Sequence, residues 1–123
     1  MLEEATAMTQ LQTLTQRADF LRAARARRAP VPAFLVQARR RCESEGVDPQ
    51  AIRVGFTCSK KVGNAVARNR AKRRLREVAR AILPLEGRPG WDYVLIGKAG
   101  DTAAQPMETM RADLSRALRK LHR

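Results

Sequence analysis

Residues 59–80, SKKVGNAVARNRAKRRLREVAR, restrict what this chain can fold into more than any other stretch. They hold nine of its 25 Lys and Arg residues and a single acid, Glu77. Gly63-Asn64 reads as a turn in which Asn64 caps a helix. That helix is expected to run to about Leu83 and stop at Pro84, because proline disfavours helical backbone before it and cannot continue the hydrogen-bond ladder. On a helical wheel Ala67, Ala71, Leu75, Val78 and Ile82 form one apolar stripe suited to docking on a sheet. The remaining arc carries Asn69, Arg70, Lys72, Arg73, Arg74, Arg76 and Arg80, with Arg68 at the edge of the stripe. Six basic residues between positions 68 and 76 repel one another in an isolated helix. A polyanion relieves that repulsion, and guanidinium forks match phosphate bidentately. The run is single-signed, unlike the mixed-sign faces that simply solvate a helix, so it reads as a nucleic-acid contact.

At 123 residues the chain is one domain with one modest core. Its net charge of +13 implies a polyanionic partner without choosing between RNA, DNA and an anionic membrane. No apolar run approaches the ~20 residues that span a bilayer. The start, MLEEATAMTQ, lacks the basic and apolar regions of a secretory signal, so a cytoplasmic location is expected. Cys42 and Cys58 stand alone with one His, at position 122, far short of the four ligands of a structural zinc site. A disulfide between them is not expected in a reducing compartment.

Along the chain, residues 1–13 show weak periodicity and are expected to fray, leaving 14–123 as the folded domain. Thr15 to about Arg28 reads as a first helix, capped by Thr15, with Phe20, Leu21, Ala23 and Ala24 on one side and Arg17, Arg22, Arg25, Arg27 and Arg28 on the other. Ala29-Pro30-Val31-Pro32 breaks it. Residues 33–41 alternate as a strand, with Arg39, Arg40 and Arg41 extending into solvent. Residues 43–50 form a polar connection whose acids, Glu43, Glu45 and Asp48, lack a supporting set of metal ligands. Ile52 to Ser59 is a strand with Val54, Phe56 and Cys58 on one face and Arg53, Gly55 and Thr57 on the other. Trp91 to Lys98 is a third strand, buried on both faces around Tyr93-Val94-Leu95-Ile96. Gly97-Lys98 lacks the partners of a phosphate loop. Pro106 starts a last helix with a core stripe of Met107, Met110, Leu114, Leu118 and Leu121.

In fixed register, the strand RVGFTCS, the Lys60-Lys61 pair, the Gly63-Asn64 turn and the Arg68-Asn69-Arg70 core resemble the signature of the bacterial ribonuclease P protein family. The resemblance covers roughly residues 14–121. It implies a single-domain α+β sandwich in which a central sheet is crossed by the basic helix, like a domain of a small-subunit ribosomal protein. The order read from the residues, α-β-β-α-β-α, lacks one strand of the family's α-β-β-β-α-β-α; a piece near Val31 or around Arg41 is the place for it.

The resemblance further implies that the chain is the protein cofactor of a ribozyme that removes the 5′ leader of precursor tRNA, with hydrolysis left to Mg²⁺ ions bound mainly by the RNA. The expected partners are one ribonuclease P RNA per protein and the precursor tRNA, with no membrane. The residues agree with a non-catalytic role, since two-metal hydrolysis needs carboxylates clustered to hold ions ~4 Å apart and the twelve acids are scattered. No catalytic or metal-ligating residue is assigned. Arg68, Asn69, Arg70, Lys72, Arg73, Arg74 and Arg76 are expected to grip the catalytic RNA, chiefly at phosphates, and Lys60 and Lys61 to add contacts near the active site. Phe20, Phe34 and Phe56 are candidates for a cleft that holds the leader, with Arg17 steering its backbone. Phe20 is either a stacking surface or a core anchor. Ala24 and Gln37 stand where relatives often carry rings, so the cleft is expected to lean on Arg and aliphatic contacts. Two other classes share parts of the pattern: a small basic ribosomal or DNA-architectural protein, and a stand-alone metal nuclease.

Overall fold

The computed structural model describes residues 11–123. The chain runs β1 (Leu11–Thr13), α1 (Arg17–Ala24), β2 (Arg27–Pro30), β3 (Phe34–Arg40), β4 (Ile52–Cys58), α2 (Ala65–Glu86), β5 (Trp91–Gly97), α3 (Asp101–Ala104) and α4 (Met107–Leu121). Five strands form one mixed sheet in the order β1-β4-β5-β3-β2. β4 and β5 are parallel neighbours joined through α2, while β3 is antiparallel to β5.

Asn64 caps α2 as expected, its side-chain oxygen accepting from the Ala67 amide at 3.0 Å. The preceding Gly63 has φ +125°, which a side chain would strain. The apolar stripe docks on the sheet through Ala71, Leu75, Val78, Ala79 and Leu83, all buried. Contrary to expectation, Pro84 does not end α2, which continues to Glu86. A proline in the last turn removes one amide from the ladder, and the Gly87 amide closes the turn on the Leu83 carbonyl at 2.8 Å.

The missing strand is β2, just before Val31, in antiparallel register with β3 from Arg27↔Ala38 to Pro30↔Leu35. The first helix is correspondingly shorter than its sequence suggests, ending at Ala24, and Thr15 does not cap it: Gln16 occupies the cap position without a side-chain bond. β1 corrects a second expectation. Leu11–Thr13 belong to the sheet, pairing in parallel with Ile52–Val54. The expectation for residues 1–10 lies outside the described residues.

The two faces of the sheet differ. One is covered by α2 and α4, which close a core that includes Phe34, Val36, Tyr93, Leu95, Leu75, Val78, Met110 and Leu114. Among the described residues the other carries only one helix, the eight-residue α1, over a small cluster of Leu14, Ala23 and Val94 with Phe20 and Ile96 against it. α1 sits close because Gly55 lacks a side chain: a Cβ there would lie 2.5 Å from Phe20 Cε1.

At the far end of this thinly covered face, the expectation that Arg39 and Arg41 extend into solvent fails. Asp92 is fully buried. It accepts from Arg41 at 2.7 Å and from Arg53 at 2.8 Å through both oxygens, with Arg39 at 3.5 Å. Arg41 also donates to the Asp48 and Ala51 carbonyls, tying the 43–50 connection to the sheet. Glu45 joins Arg39 and accepts from the Cys42 amide. Burial pushes the Glu45 carboxyl up, but those hydrogen bonds outweigh it and hold its pKa below the usual value. Only Arg40 of the three projects outward.

Candidate RNA interface

The exposed side of α2 presents Asn69, Arg70, Arg73 and Arg76 to solvent, with Arg68 and Lys72 half-buried at its margins. Among the described residues no acid pairs with any of these cations. Lys60 and Lys61 are exposed in a single 3₁₀ turn between β4 and α2. They extend the positive surface around the N-terminus of the helix. Val66, 78% exposed, stands among these groups as an apolar point.

Arg74 does not belong to this surface. Its Nε donates to the Thr102 carbonyl at 2.9 Å, and Nη2 to the Gln105 carbonyl, so the fork clasps α3 and the start of α4. A guanidinium held by two carbonyls of its own chain is not available to phosphate. Arg76 has a second neighbour, its guanidinium lying 5.6 Å from the centre of the Phe56 ring.

On the opposite face, Thr15, Arg17, Phe20, Leu21, Gln37, Thr57, Val94 and Ile96 border an open cleft of about 440 Å³. Among the described residues Arg17 is the only cation on its rim, Leu21 is 47% exposed, and Phe20 is half-buried against Val94. The two readings of Phe20 therefore merge: one part of the ring anchors α1 on Gly55 and another borders the cleft. Phe56 reaches the cleft border from the sheet edge, but its ring packs with the main core under Arg76. Phe34 is a correction. It is completely buried beneath α2 and α4, on the face away from the cleft, and offers no surface to a base. The residue that sequence reasoning missed is Gly55. Its signal was a glycine inside a strand pattern, which marks close approach.

A ribonuclease P family model matches residues 8–122. The chain belongs to the ribonuclease P protein family. It is 63% identical over 112 residues to the ribonuclease P protein component of Ruegeria pomeroyi, covering 91% of this chain and 87% of that one. To the same component from Caulobacter vibrioides it is 41% identical over 132 residues, covering 99% and 86%. The ribonuclease P protein of Thermotoga maritima superposes with a TM-score of 0.63 at 28% identity, over 89% of this chain and 94% of that one. That of Staphylococcus aureus superposes with a TM-score of 0.63 at 24% identity, over 88% and 93%, and so shares the fold. The family match begins at residue 8, ahead of the expected residue 14, in keeping with β1 being part of the sheet. The chain is thus a protein subunit of bacterial ribonuclease P, the endoribonuclease of tRNA 5′ maturation.

Among the described residues no helix is long and apolar enough to cross a membrane. Nor do three His, Cys, Asp or Glu side chains come together among them. Among the described residues the buried carboxylates Asp19, Asp92 and Asp113, and the half-buried Glu45, are each paired with arginine.

Proposed function

We propose that the protein assists the reaction by charge, with its two faces serving two RNAs. The face of α2 that bears Arg68, Asn69, Arg70, Lys72, Arg73 and Arg76, with Lys60 and Lys61 at its head, holds the catalytic RNA at its phosphates. Asn69 is placed to hydrogen-bond a sugar or base edge. The cleft beside Phe20 holds the 5′ leader of precursor tRNA, with Arg17 on the leader backbone and Val94, Ile96 and Leu21 against its bases. Lys60 and Lys61 follow β4 directly, and β4 borders the cleft through Thr57, so one strand links both surfaces. Phe34 and Arg74 have no part in either. One protein acts with one RNA, in the cytoplasm. Mg²⁺ belongs to the RNA, and no step runs through a metal held by this chain.

The observation that carries this reading is the unpaired, single-signed charge of α2, for which an acid partner is missing among the described residues. Neutralising phosphate brings RNA and leader together and lowers the Mg²⁺ needed against their repulsion. Each phosphate contact contributes roughly 0.7–0.9 to the slope of log affinity against log salt. Arg68→Ala with Arg70→Ala is expected to weaken binding to a bacterial ribonuclease P RNA and flatten that slope by about 1.5, with the fold intact. Unchanged affinity and slope would sink the assignment. Cleavage of precursor tRNA at low Mg²⁺, by protein alone, RNA alone and both, tests the partnership. Activity is expected only from the pair.

A further inference from the structure

At the opposite end of the sheet from Lys60 and Lys61 lies a recess of about 370 Å³ that the proposed interface does not use. It sits where β5 begins, β3 ends and α4 finishes, six residues along β5 from Gly97, hence about 20 Å from the α2 head at ~3.3 Å per residue. Its border includes Arg27, Arg39, Arg40, Arg88, Trp91, His122 and Arg123, with no Asp or Glu side chain among them, and the Arg123 main-chain oxygen lies 3.5 Å from Arg27 Nη1. Among the described residues neither Arg40 nor Arg88 makes a side-chain hydrogen bond or ion pair, so both guanidinium groups are uncommitted. Arg27, in contrast, is engaged: it donates to the Leu121 carbonyl at 2.5 Å and its guanidinium lies 5.7 Å from the centre of the Trp91 ring, a cation–π contact.

The aromatic side of the recess is held firmly. The Arg88 amide donates to the Tyr93 hydroxyl at 2.9 Å, and that oxygen lies 2.7 Å from His122 Nε2. The His122 edge packs against Trp91, with ring centres 4.4 Å apart. Burial first, and then the charges of Arg88 and Arg27, lower the His122 pKa to about 4. The imidazole is therefore neutral near pH 7 and does not add to the positive charge of the recess. An anion is what such a field lacks, and an aromatic wall beside unpaired guanidinium groups suits an anion that carries a flat ring.

We propose that this recess is a second RNA-binding site, seating one nucleotide of a single strand with its phosphate on Arg40 and Arg88 and its base against Trp91. The proposal rests on the RNA-binding reading above but uses none of its residues. The strand comes either from the catalytic RNA or from the precursor, and the arms of the test separate the two.

Trp91 is the chain's single tryptophan, so its emission reports this recess alone. The full-length protein titrated with a single-stranded oligoadenylate is expected to show saturable quenching, about a hundredfold weaker in Arg40→Ala with Arg88→Ala, tenfold for each lost charge-assisted contact. Arg111→Ala, on α4 and outside both the α2 face and this recess, serves as the control and leaves the quenching constant alone. Inorganic polyphosphate of equal charge is expected to bind with little quenching. Absent quenching, quenching that the Arg40/Arg88 variant keeps, or equal quenching by polyphosphate each overturns the proposal. With quenching established, the same variant is measured for affinity to the catalytic RNA and, once assembled, to precursor tRNA. A loss in the first assigns the strand to the catalytic RNA and a loss in the second to the precursor; no loss in either overturns the site. Failure of Arg68→Ala with Arg70→Ala to weaken RNA binding would count against the α2 reading only.

Discussion

Arg41 and Arg53 close around one carboxylate at the end of the sheet, whereas Arg70 and Arg73 stand on α2 with no acid against them. The four side chains are chemically identical, and what separates them is the supply of acceptors. Arg41, with 3% of its side chain exposed, has four protein oxygens within hydrogen-bond reach. The guanidinium groups of α2 have water. Arg74 shows that position on the basic helix does not decide the class, because α3 comes close enough to offer two carbonyls. A charge run in a sequence therefore mixes arginines that hold the fold with arginines that remain free for a partner.

The sharpest way to break this division is Arg41→Ala. It removes a partner of fully buried Asp92, and a broken buried pair costs about 3–5 kcal/mol. A urea titration should show that loss; a change under 1 kcal/mol would mean Arg53 alone satisfies the carboxylate. Next in size is Arg68→Ala with Arg70→Ala, expected to lower catalytic-RNA affinity about a hundredfold, tenfold per charge-assisted contact, with the urea midpoint unmoved. Arg74→Ala sharpens the contrast from the same helix. It should cost about 1–3 kcal/mol of stability through the two released carbonyls and change RNA affinity less than threefold in filter binding. A larger loss of affinity than of stability would return Arg74 to the interface.

The smallest effect concerns His122. Its folded pKa, about 4, lies below the usual 6.5, so the unfolded chain binds the extra proton first. The stability tied to neutral His122 is complete above pH 6.5 and is lost as pH falls toward 4. Partial exposure screens this to on the order of 1 kcal/mol. His122→Gln should flatten the dependence of the urea midpoint on pH over that window, and Arg88→Gln should raise the His122 pKa in an NMR titration. If Arg88→Gln leaves that pKa in place, the recess owes its character to burial alone.

What could be read from the sequence was what is locally determined. Asn64 caps three residues ahead of itself, the stripe from Ala71 to Val78 repeats with the helical period, and Tyr93 to Ile96 is apolar whatever surrounds it. β1 and β2 left no such trace. Arg27-Arg28-Ala29-Pro30 buries a single alanine and is a strand because β3 lies beside it; Leu11–Thr13 is one because Ile52–Val54 arrives some forty residues later. The α2 interface was legible as far as its charge went. The exclusion of Arg74 and Phe34 was not, since both depend on contacts distant in sequence, with Thr102 and Gln105 for one and the α4 core for the other.

The sheet order has a consequence for synthesis. β5 is the last strand to be made, yet it lies at the centre, between β4 and β3. Until it leaves the ribosome, β3 and β4 have no interior neighbour, and α2 has only half a platform to dock on. At roughly 5–20 residues per second, β4 waits about 2–8 s for β5. Throughout that interval the nascent chain is an unfolded polycation a short distance from ribosomal RNA. A ribosome stalled before Trp91 would therefore carry a segment with the full charge of α2 and no fold to present it.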